Sequence, residues 1–271
     1  MYTGYRTIKA AEAYDIYQHP EENMLGLLTN EYFIVKDEED NVVDIKKWDG
    51  YGYCGIDSGG VSNNFIGKIK ARNLEQKLAI DMLRDPESKI KVITSPPGCG
   101  KDFLMVNYAL HLLDKGKFDR IMWIRNNIEV KNTNSLGYLP GSQDDKLRPY
   151  AMLLADHLGG EEGLERMVEM GRLEITHLGF LRGRSIRNSI IYCSEAQNLT
   201  REHMKLLISR VDEGSELWVN GDVKQMDMRA FEIDNGLEAI IERLKGNKLF
   251  GYVQLNKIER SAVAQLAALL D

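Results

Sequence analysis

A glycine-rich segment at residues 95–102 contains the residue types best suited to chemistry. It reads Ser-Pro-Pro-Gly-Cys-Gly-Lys-Asp, and it joins a run of β-branched residues to a stretch that favours a helix. A strand, a glycine loop and a helix in this order are typical of a phosphate-binding loop, because the dipole and the unpaired N–H groups of a helix N-terminus attract anions. The Lys101 ammonium would neutralise the outer phosphates. The backbone amides that we expect to face the phosphates belong to Gly98, Cys99, Gly100, Lys101 and Asp102.

The segment departs from the usual pattern G-x-x-x-x-G-K-[ST] at two positions. Ser95 replaces the first glycine, and Asp102 replaces the Ser or Thr whose hydroxyl binds Mg²⁺. The first replacement is mild, because a residue before proline is held in the extended region and does not need the freedom of glycine. The second replacement puts a carboxylate beside the phosphates. A Pro/Gly turn that joins a buried strand to a surface helix is the alternative interpretation of this segment.

Polar residues also follow three later strands of the predicted fold. These strands are predicted at 189–193, 216–220 and 249–256, and helices separate them. In an open α/β sheet the ligand binds at the carboxyl ends of the parallel strands. The repetition therefore predicts a parallel sheet flanked by helices, and it supports the nucleotide interpretation of the glycine loop. Further helices are predicted at 72–83, 103–115, 150–158 and 161–171, and further strands at 120–125 and 173–177.

The first 70 residues have a different character. An amphipathic pattern predicts a short helix near residues 8–17, and the segments 29–35 and 42–48 flank a charged turn and predict a hairpin. A glycine-rich passage after the hairpin would lead to further short strands. We therefore expect a small β-rich module at residues 1–70 that covers an α/β domain at residues 71–271.

Composition limits the class of protein. The chain has 271 residues, of which 43% are hydrophobic and 28% are charged, as in an ordinary globular protein. No apolar run reaches the roughly 20 residues that span a bilayer, and the first residues lack the apolar core of a secretory signal. Three cysteines without C-x-x-C spacing favour a reducing, cytoplasmic location and argue against a zinc ribbon or a disulfide framework. A net charge of −6 gives no support for indiscriminate nucleic-acid binding, although it is compatible with a local basic groove.

Taken together, the motifs resemble those of the PhoH-like ATPases, a branch of the P-loop proteins related to superfamily 1 helicases. The matching segments occur in family order, and they are RNLEQ at 72–76, PPGCGKD at 96–102, LGYLPG at 136–141, LRGRS at 181–185, SEAQN at 194–198, NGDVKQMD at 220–227 and the region of Arg260. The resemblance implies a RecA-like P-loop fold that binds ATP and Mg²⁺. Residues 1–70 resemble the linker that follows a PIN ribonuclease domain in two-domain members. The sequence is expected to begin where such a domain would end, so the resemblance does not extend to nuclease activity.

The second signature of the family normally reads D-E-A-Q-N, in which the Asp holds Mg²⁺ and the Glu polarises the attacking water. Here Ser194 stands in the place of that Asp, while Asp102 stands in the place of the loop Ser or Thr. The hydroxyl and the carboxylate have thus exchanged positions, and we expect Asp102 and Ser194 to face each other across Mg²⁺ in a set of oxygen ligands. Without the metal, a carboxylate this close to the phosphates would repel them by about 3–4 kcal/mol at an effective dielectric constant of about 20.

The resemblance, together with the demands of phosphoryl transfer, suggests roles for other residues. Glu195 would orient the attacking water, Gln225 would sense the γ-phosphate, and Arg260 would contact that phosphate within its own subunit or across a subunit interface. The Gln76 amide can pair with an adenine edge, although a surface Gln on a helix is the commoner case. The other expected nucleotide contacts are Asn73, Phe103 and Asp222. The basic candidates for nucleic-acid or intersubunit contacts are Arg125, Arg182 and Arg184, and a solvated basic loop is the alternative.

These observations predict Mg²⁺-dependent ATP hydrolysis. The resemblance implies that hydrolysis is coupled to movement on, or remodelling of, single-stranded nucleic acid, with RNA favoured, and that the chain forms a homo-hexameric ring. A nucleotide-responsive scaffold with negligible hydrolysis is the first alternative, because both metal positions depart from the family pattern. A small-molecule kinase is disfavoured, since residues 126–150 offer no recognisable acceptor site and Asp222-x-x-Gln225 suits a helicase-like sensor.

Overall fold

The computed structural model describes residues 2–125, 152–227 and 229–259. Its N-terminal part contains two small sheets. Four strands form the first sheet in chain order, and they are β1 (Tyr5–Lys9), β2 (Tyr32–Lys36), β3 (Val42–Trp48) and β4 (Tyr53–Gly55). In the second sheet the antiparallel partners are β5 (Val61–Asn63) and β6 (Gly67–Ile69). The predicted β-rich module is therefore confirmed, and β2 and β3 form the expected antiparallel hairpin.

The expected helix at residues 8–17 is only partly correct. Ile8 lies in β1, which pairs in parallel with β2. A 3-10 turn (Ala10–Ala13) and the short helix α1 (Tyr14–Gln18) follow the strand. Ile8 and Ile16 pack into the same small hydrophobic cluster. Their spacing is therefore compatible with a helix, although Ile8 reaches the cluster from a strand.

Buried polar contacts fasten the N-terminal module to the rest of the chain. Asn30 adopts a left-handed conformation, and its side chain donates to the backbone carbonyls of Lys248 and Phe250 at 3.1 and 3.0 Å. The Tyr32 hydroxyl donates to the Asp81 carboxylate at 2.8 Å. Because Tyr32 also belongs to a hydrophobic cluster that extends through the following domain, the module and that domain share a core.

Six parallel strands form the central sheet. They are β7 (Ile90–Thr94), β8 (Arg120–Arg125), β9 (Leu173–Thr176), β10 (Ser189–Ser194), β11 (Glu216–Gly221) and β12 (Phe250–Gln254). Their spatial order is β12-β7-β11-β10-β8-β9, and every pairing between neighbours is parallel. The carboxyl ends of all six strands therefore meet at one edge of the sheet, which we call the carboxyl edge.

Helices cover both faces of this sheet. They are α2 (Leu74–Arg84), α3 (Lys101–Asp114), α4 (Glu161–Glu169), α5 (Arg201–Ile208) and, after the short helix α6 (Arg229–Ile233), α7 (Gly236–Leu244). Successive residues of β10 serve opposite faces: Tyr192 belongs to the same hydrophobic cluster as Leu78 of α2, and Ile191 to the same cluster as Leu237 of α7. Burial on both faces explains why the strands are almost continuously apolar. The arrangement confirms the predicted RecA-like P-loop fold, with a parallel sheet flanked by helices.

The strands and helices predicted between residues 72 and 256 are confirmed where the structure describes them. The helix expected at 150–158 is described in part, because residues 152–155 are helical and residues 156–159 form turns. The closing helix expected after Arg260 lies outside the described residues. Within the described ranges, no helix has the length and apolar character that crossing a bilayer requires.

Candidate nucleotide site

A cleft of about 380 Å³ opens at the carboxyl edge of the central sheet. It lies between the loop that joins β7 to α3, the residues that end or follow β10 and β11, and the segment near residues 153–157. Its lining residues are Pro97, Gly98, Gly100, Lys101, Asp102, Phe103, Val106, Trp123, Leu153, Asp156, His157, Ser194, Glu195, Asp222 and Gln225. Most of the predicted nucleotide and metal residues therefore share a single cleft.

The glycine loop has the backbone conformation expected of a phosphate-binding loop. Gly98 and Gly100 have φ values of 86° and 91°, in the left-handed region that favours glycine. Ser95 is not among the described residues with positive φ, which confirms that this position does not need a glycine. α3 begins at Lys101, whose side chain lines the cleft. The loop thus brings the first N–H groups of a helix and an ammonium group to the same place.

Two hydrogen bonds from elsewhere in the chain hold the loop in position. The Gln76 amide donates to the Cys99 carbonyl at 3.0 Å and accepts from the backbone N–H of Arg72 at 2.9 Å. The backbone N–H of Glu259 donates to the Gly98 carbonyl at 2.9 Å. Gln76 is buried, so the structure gives its amide a role in supporting the loop. The adenine contact of this side chain stays a prediction.

Asn73 caps α2. Its side-chain oxygen accepts from the backbone N–H of Gln76 at 2.9 Å. Its Nδ2 donates to the Glu259 carboxylate at 2.7 Å. Neither Asn73 nor Gln76 lines the cleft in the described part of the chain, so a direct contact between Asn73 and nucleotide also stays a prediction.

Asp102 and Ser194 come from different elements and line the same cleft. Asp102 is the second residue of α3, and its Oδ1 accepts from Asn220 Nδ2 at 2.7 Å and from the Tyr192 hydroxyl at 3.3 Å. The Asp102 Oδ2 lies 4.0 Å from Lys101 Nζ. Ser194 ends β10 and is 1% exposed, and its Oγ has no hydrogen-bond partner among the described residues.

The unpaired Ser194 hydroxyl points to a ligand. Leaving a buried polar group without a partner costs about 1–3 kcal/mol, so a bound group in this cleft would relieve that cost. Hydroxyl and carboxylate oxygens suit Mg²⁺, which prefers hard oxygen ligands and keeps several of its waters. The residues present therefore fit a magnesium ion, and Asp102 and Ser194 are the residues that would hold it.

Glu195 follows β10 in a strained backbone conformation. Its φ of 55° and ψ of 42° lie in the left-handed region, which residues with a side chain rarely occupy. Gln197 Nε2 donates to the Glu195 carboxylate at 2.6 Å, and the Glu195 backbone N–H donates to Asn220 Oδ1 at 3.3 Å. These bonds hold a carboxylate at the cleft, where it can orient a water or accept its proton.

A tight turn after β11 carries two further predicted residues. Asp222 is buried, and its backbone N–H donates to Gln197 Oε1 at 3.1 Å. The Asp222 side chain accepts a hydrogen bond from the backbone N–H of Lys224 at 2.9 Å. The Asp222 backbone carbonyl accepts one from the backbone N–H of Gln225 at 3.0 Å. Gln225 is exposed and lines the cleft. The Gln197 amide therefore links Glu195 to the turn that carries Gln225.

Sequence reasoning missed three residues that organise the site: Tyr192, Gln197 and Asn220. Gln197 and Asn220 lie inside the motifs at 194–198 and 220–227, so their position was a usable signal, but their partners are distant in the chain. Tyr192 lies within an apolar strand, and nothing in that pattern distinguishes it from a core residue.

His157 lies on the cleft beside Phe103 and was also missed. The two ring centroids are 6.0 Å apart, and His157 Nδ1 lies 3.2 Å from Asn107 Nδ2. Burial lowers the pKa of His157, while the nearby Asp102 carboxylate acts in the opposite direction. A neutral imidazole adds no positive charge, so among the described cleft residues the positive charge comes from Lys101.

The predicted basic contacts have different surroundings. Arg184 forms an ion pair with Glu174, in which Nη2 and Oε2 are 3.2 Å apart, and its charge is thereby compensated. Arg182 is exposed and forms no ion pair with a described residue. Three predicted features lie outside the described residues, namely the side chain of Arg125, the motif at 136–141 and Arg260.

A glycine loop that leads into a helix, a lysine at its end and polar residues at the carboxyl edge define a P-loop nucleotide-binding protein. Comparison with known families gives the same class. Residues 68–269 match the family model described as PhoH-like protein, and the chain belongs to the PhoH family.

Three relatives show the extent of the similarity. Protein PhoH2 of Bacillus subtilis (strain 168) is 34% identical over 212 residues, which cover 75% of this chain and 48% of that protein. A PhoH-like protein of the same organism is 35% identical over 203 residues, or 73% of this chain and 62% of that protein. Protein PhoH of Escherichia coli (strain K12) is 32% identical over 205 residues, which cover 73% of this chain and 56% of that protein. The chain spans about half the length of the curated relatives it matches.

The close packing of Gly221 provides a test of the link between Glu195 and the turn at Asp222. A Cβ at residue 221 would lie 2.6 Å from Gln197 Oε1 and 2.7 Å from Leu237 Cδ2. We expect Gly221→Ala to displace the Gln197 amide, to lower the free energy of unfolding by about 1–3 kcal/mol, and to weaken nucleotide binding. Urea unfolding and titration with a fluorescent nucleotide measure the two effects.

Gly55→Ala is the matched control for this substitution. Gly55 also lies in a strand, and a Cβ added there would meet no atom within 4 Å. The control should change the free energy of unfolding by less than about 1 kcal/mol and leave nucleotide binding intact. Equal behaviour of the two variants would contradict the role given to Gly221.

Proposed function

We propose that this protein is a Mg²⁺-dependent ATPase that acts on single-stranded nucleic acid, with RNA favoured. The observation that carries the proposal is the buried Ser194 hydroxyl, which has no hydrogen-bond partner in the described part of the chain and shares a cleft with Asp102, Lys101 and Glu195. Phosphoryl transfer depends mainly on charge neutralisation and on an oriented water, and these residues suit both tasks. Membership of the PhoH family supports ATP as the nucleotide.

The chain's own residues account for the main tasks of hydrolysis. Lys101 and the N–H groups of the loop bind and neutralise the outer phosphates. Glu195 accepts a hydrogen bond from the attacking water and orients it toward the γ-phosphorus. Gln225 contacts the γ-phosphate. When the phosphate leaves after hydrolysis, the turn that carries Gln225 can shift, and the Gln197 amide, which is bonded to both Asp222 and Glu195, passes this shift to Glu195. A magnesium ion held by Asp102 and Ser194 would supply further charge neutralisation at the phosphates.

Steady-state phosphate release distinguishes this ATPase from a nucleotide-responsive scaffold. We expect the parent protein to hydrolyse ATP, and Glu195→Gln to bind ATP normally while losing about 100-fold or more of kcat, the usual contribution of a general base. Glu162→Gln, an exposed position on α4, is the matched control and should turn over like the parent. ATP binding by a parent protein that releases no more phosphate than Glu195→Gln would support the scaffold instead.

The exchanged metal positions lead to a separate prediction. Asp102→Thr should abolish turnover because it leaves two hydroxyls and no carboxylate at the metal. Ser194→Asp should impair turnover because it places two carboxylates at one ion. The double variant should recover activity to within about tenfold of the parent, since the two changes compensate each other. A double variant as inactive as the single variants, measured by phosphate release, would show that the positions do not compensate.

The nucleic-acid part of the proposal rests on the basic loop after β9. This strand ends at the carboxyl edge and leads into a 3-10 turn (Leu178–Leu181) in which Phe180 is 53% exposed. Arg182 follows directly and is also exposed. An exposed aromatic ring and an exposed guanidinium two residues apart suit single-stranded nucleic acid, because bases stack on rings and phosphates attract cations. A ring of several copies, in which Arg260 reaches a γ-phosphate in its own or a neighbouring subunit, is the corresponding proposal for assembly.

Substitutions in this loop test the nucleic-acid contact. Arg182→Ala and Phe180→Ala should each weaken binding of a labelled single-stranded RNA by about fivefold or more, and Arg182→Ala should reduce the slope of affinity against salt by about one. Fluorescence anisotropy at several salt concentrations measures both effects. Arg187→Ala is the matched control, because Arg187 already pairs with Asp212 at 2.9 Å. RNA affinity unchanged in all three variants would remove this loop from the proposal.

A further inference from the structure

Asn220, near the end of β11, lies at the centre of a hydrogen-bond network beside the cleft. It is 0% exposed, and its Nδ2 donates to Asp102 Oδ1 at 2.7 Å and to the Tyr192 hydroxyl at 2.6 Å. Its Oδ1 accepts from the backbone N–H of Glu195 at 3.3 Å. Both amide hydrogens are therefore used. This one side chain connects the first turn of α3 with β10 and with the residue that follows it.

Tyr192 completes the network. Its hydroxyl accepts from Asn220 and donates to Asp102 Oδ1, and its buried ring stacks on Trp123 with 4.7 Å between ring centroids. A tyrosine hydroxyl can accept one hydrogen bond and donate another, so Tyr192 fills both roles here. The stacking on Trp123 fixes the Tyr192 ring and thereby holds its hydroxyl next to Asp102 in the first turn of α3.

The hydrogen bonds from Asn220 and from Tyr192 are both accepted by the same oxygen of Asp102. Oδ1 is occupied, whereas Oδ2 lies 4.0 Å from Lys101 Nζ. A carboxylate free to rotate would approach the ammonium more closely, because opposite charges attract strongly in a partly buried site. A tighter ion pair would withdraw Lys101 from the phosphates and Asp102 from the metal.

We propose that Asn220 and Tyr192 are positioning residues that fix Oδ1 of Asp102 and thereby leave Oδ2 for the metal ion. The inference rests on the proposed function, because it explains how the metal carboxylate of that function is oriented. A Ser or Thr at the same position of the loop carries no charge and needs no such restraint. The exchange of a hydroxyl for a carboxylate at position 102 therefore creates the need for the two donors.

Mn²⁺ binding in the presence of ADP, followed by electron paramagnetic resonance, measures this positioning without turnover. Tyr192→Phe should raise the Kd for Mn²⁺ about tenfold, the effect of one lost hydrogen bond to a charged group. ADP affinity in EDTA should change by less than about twofold, because the phosphate contacts of the loop remain. Asn220→Ala leaves the stacked pair of Trp123 and Tyr192 intact, and it should weaken Mn²⁺ binding at least as much as Tyr192→Phe does.

Tyr32→Phe is the matched control for these variants. Tyr32 is buried like Tyr192, and its hydroxyl donates to a buried carboxylate, that of Asp81, at 2.8 Å. Neither Tyr32 nor Asp81 is among the described residues that line the cleft, so Tyr32→Phe should leave the Kd for Mn²⁺ unchanged. A general loss of packing would affect both Tyr→Phe variants, whereas lost positioning affects only Tyr192→Phe.

A double-mutant cycle with Asp102→Asn shows whether the effect passes through Asp102. In that background Tyr192→Phe should cause no further loss of Mn²⁺ affinity, because the group that it positions is already changed. Additive losses, or a normal Kd for Mn²⁺ in both Tyr192→Phe and Asn220→Ala, would overturn the inference and leave the proposed function standing. A parent protein that binds no Mn²⁺ in the presence of ADP would overturn both the inference and the proposed function.

Discussion

The first turn of α3 has to accommodate a carboxylate and an anionic ligand at the same helix end. The helix dipole and free N–H groups favour negative charge there, and both the Asp102 carboxylate and the phosphates of a nucleotide compete for that favourable field. Ser194 at the end of β10 is uncharged, so the pair of positions carries a single negative charge rather than two. The rest of the cleft follows from this constraint: Lys101 compensates the phosphates, and a divalent cation would compensate Asp102.

Most buried polar side chains in the described structure have a partner, and two of the three exceptions lie at the cleft. Lys91 lies within the sheet but forms an ion pair with Glu216 at 2.9 Å, and Lys47 pairs with Asp85 at 3.1 Å. Among the described residues, three buried side-chain atoms have no hydrogen-bond partner, and two of them belong to the cleft-lining residues Ser194 and Trp123. Unsatisfied groups of this kind are costly in a core, so their position favours a ligand role over a purely structural one.

Most of the fold could be predicted from the sequence because its signals are local. β-branched runs, helix-forming stretches and turn residues identified nearly every element between residues 72 and 256 that the structure describes. β1 was missed because its pairing with β2 is a contact across more than twenty residues, whereas amphipathic spacing describes only neighbours. In the site, the loop and Glu195 were identified by local motifs. The Asn220 contact with Asp102 joins residues 118 positions apart, and the Gln76 amide turned out to be occupied by Cys99, so tertiary structure decided both.

The tether between Glu259 and the phosphate loop has a mechanical consequence. The Glu259 backbone N–H donates to the Gly98 carbonyl, and the Glu259 carboxylate is held by the Asn73 cap of α2. A displacement of the loop on nucleotide exchange would therefore act directly on Glu259 through this hydrogen bond. The loop, the start of α2 and the segment that ends at Glu259 are thus joined by hydrogen bonds into one unit, so a shift of any one of them would strain the other two.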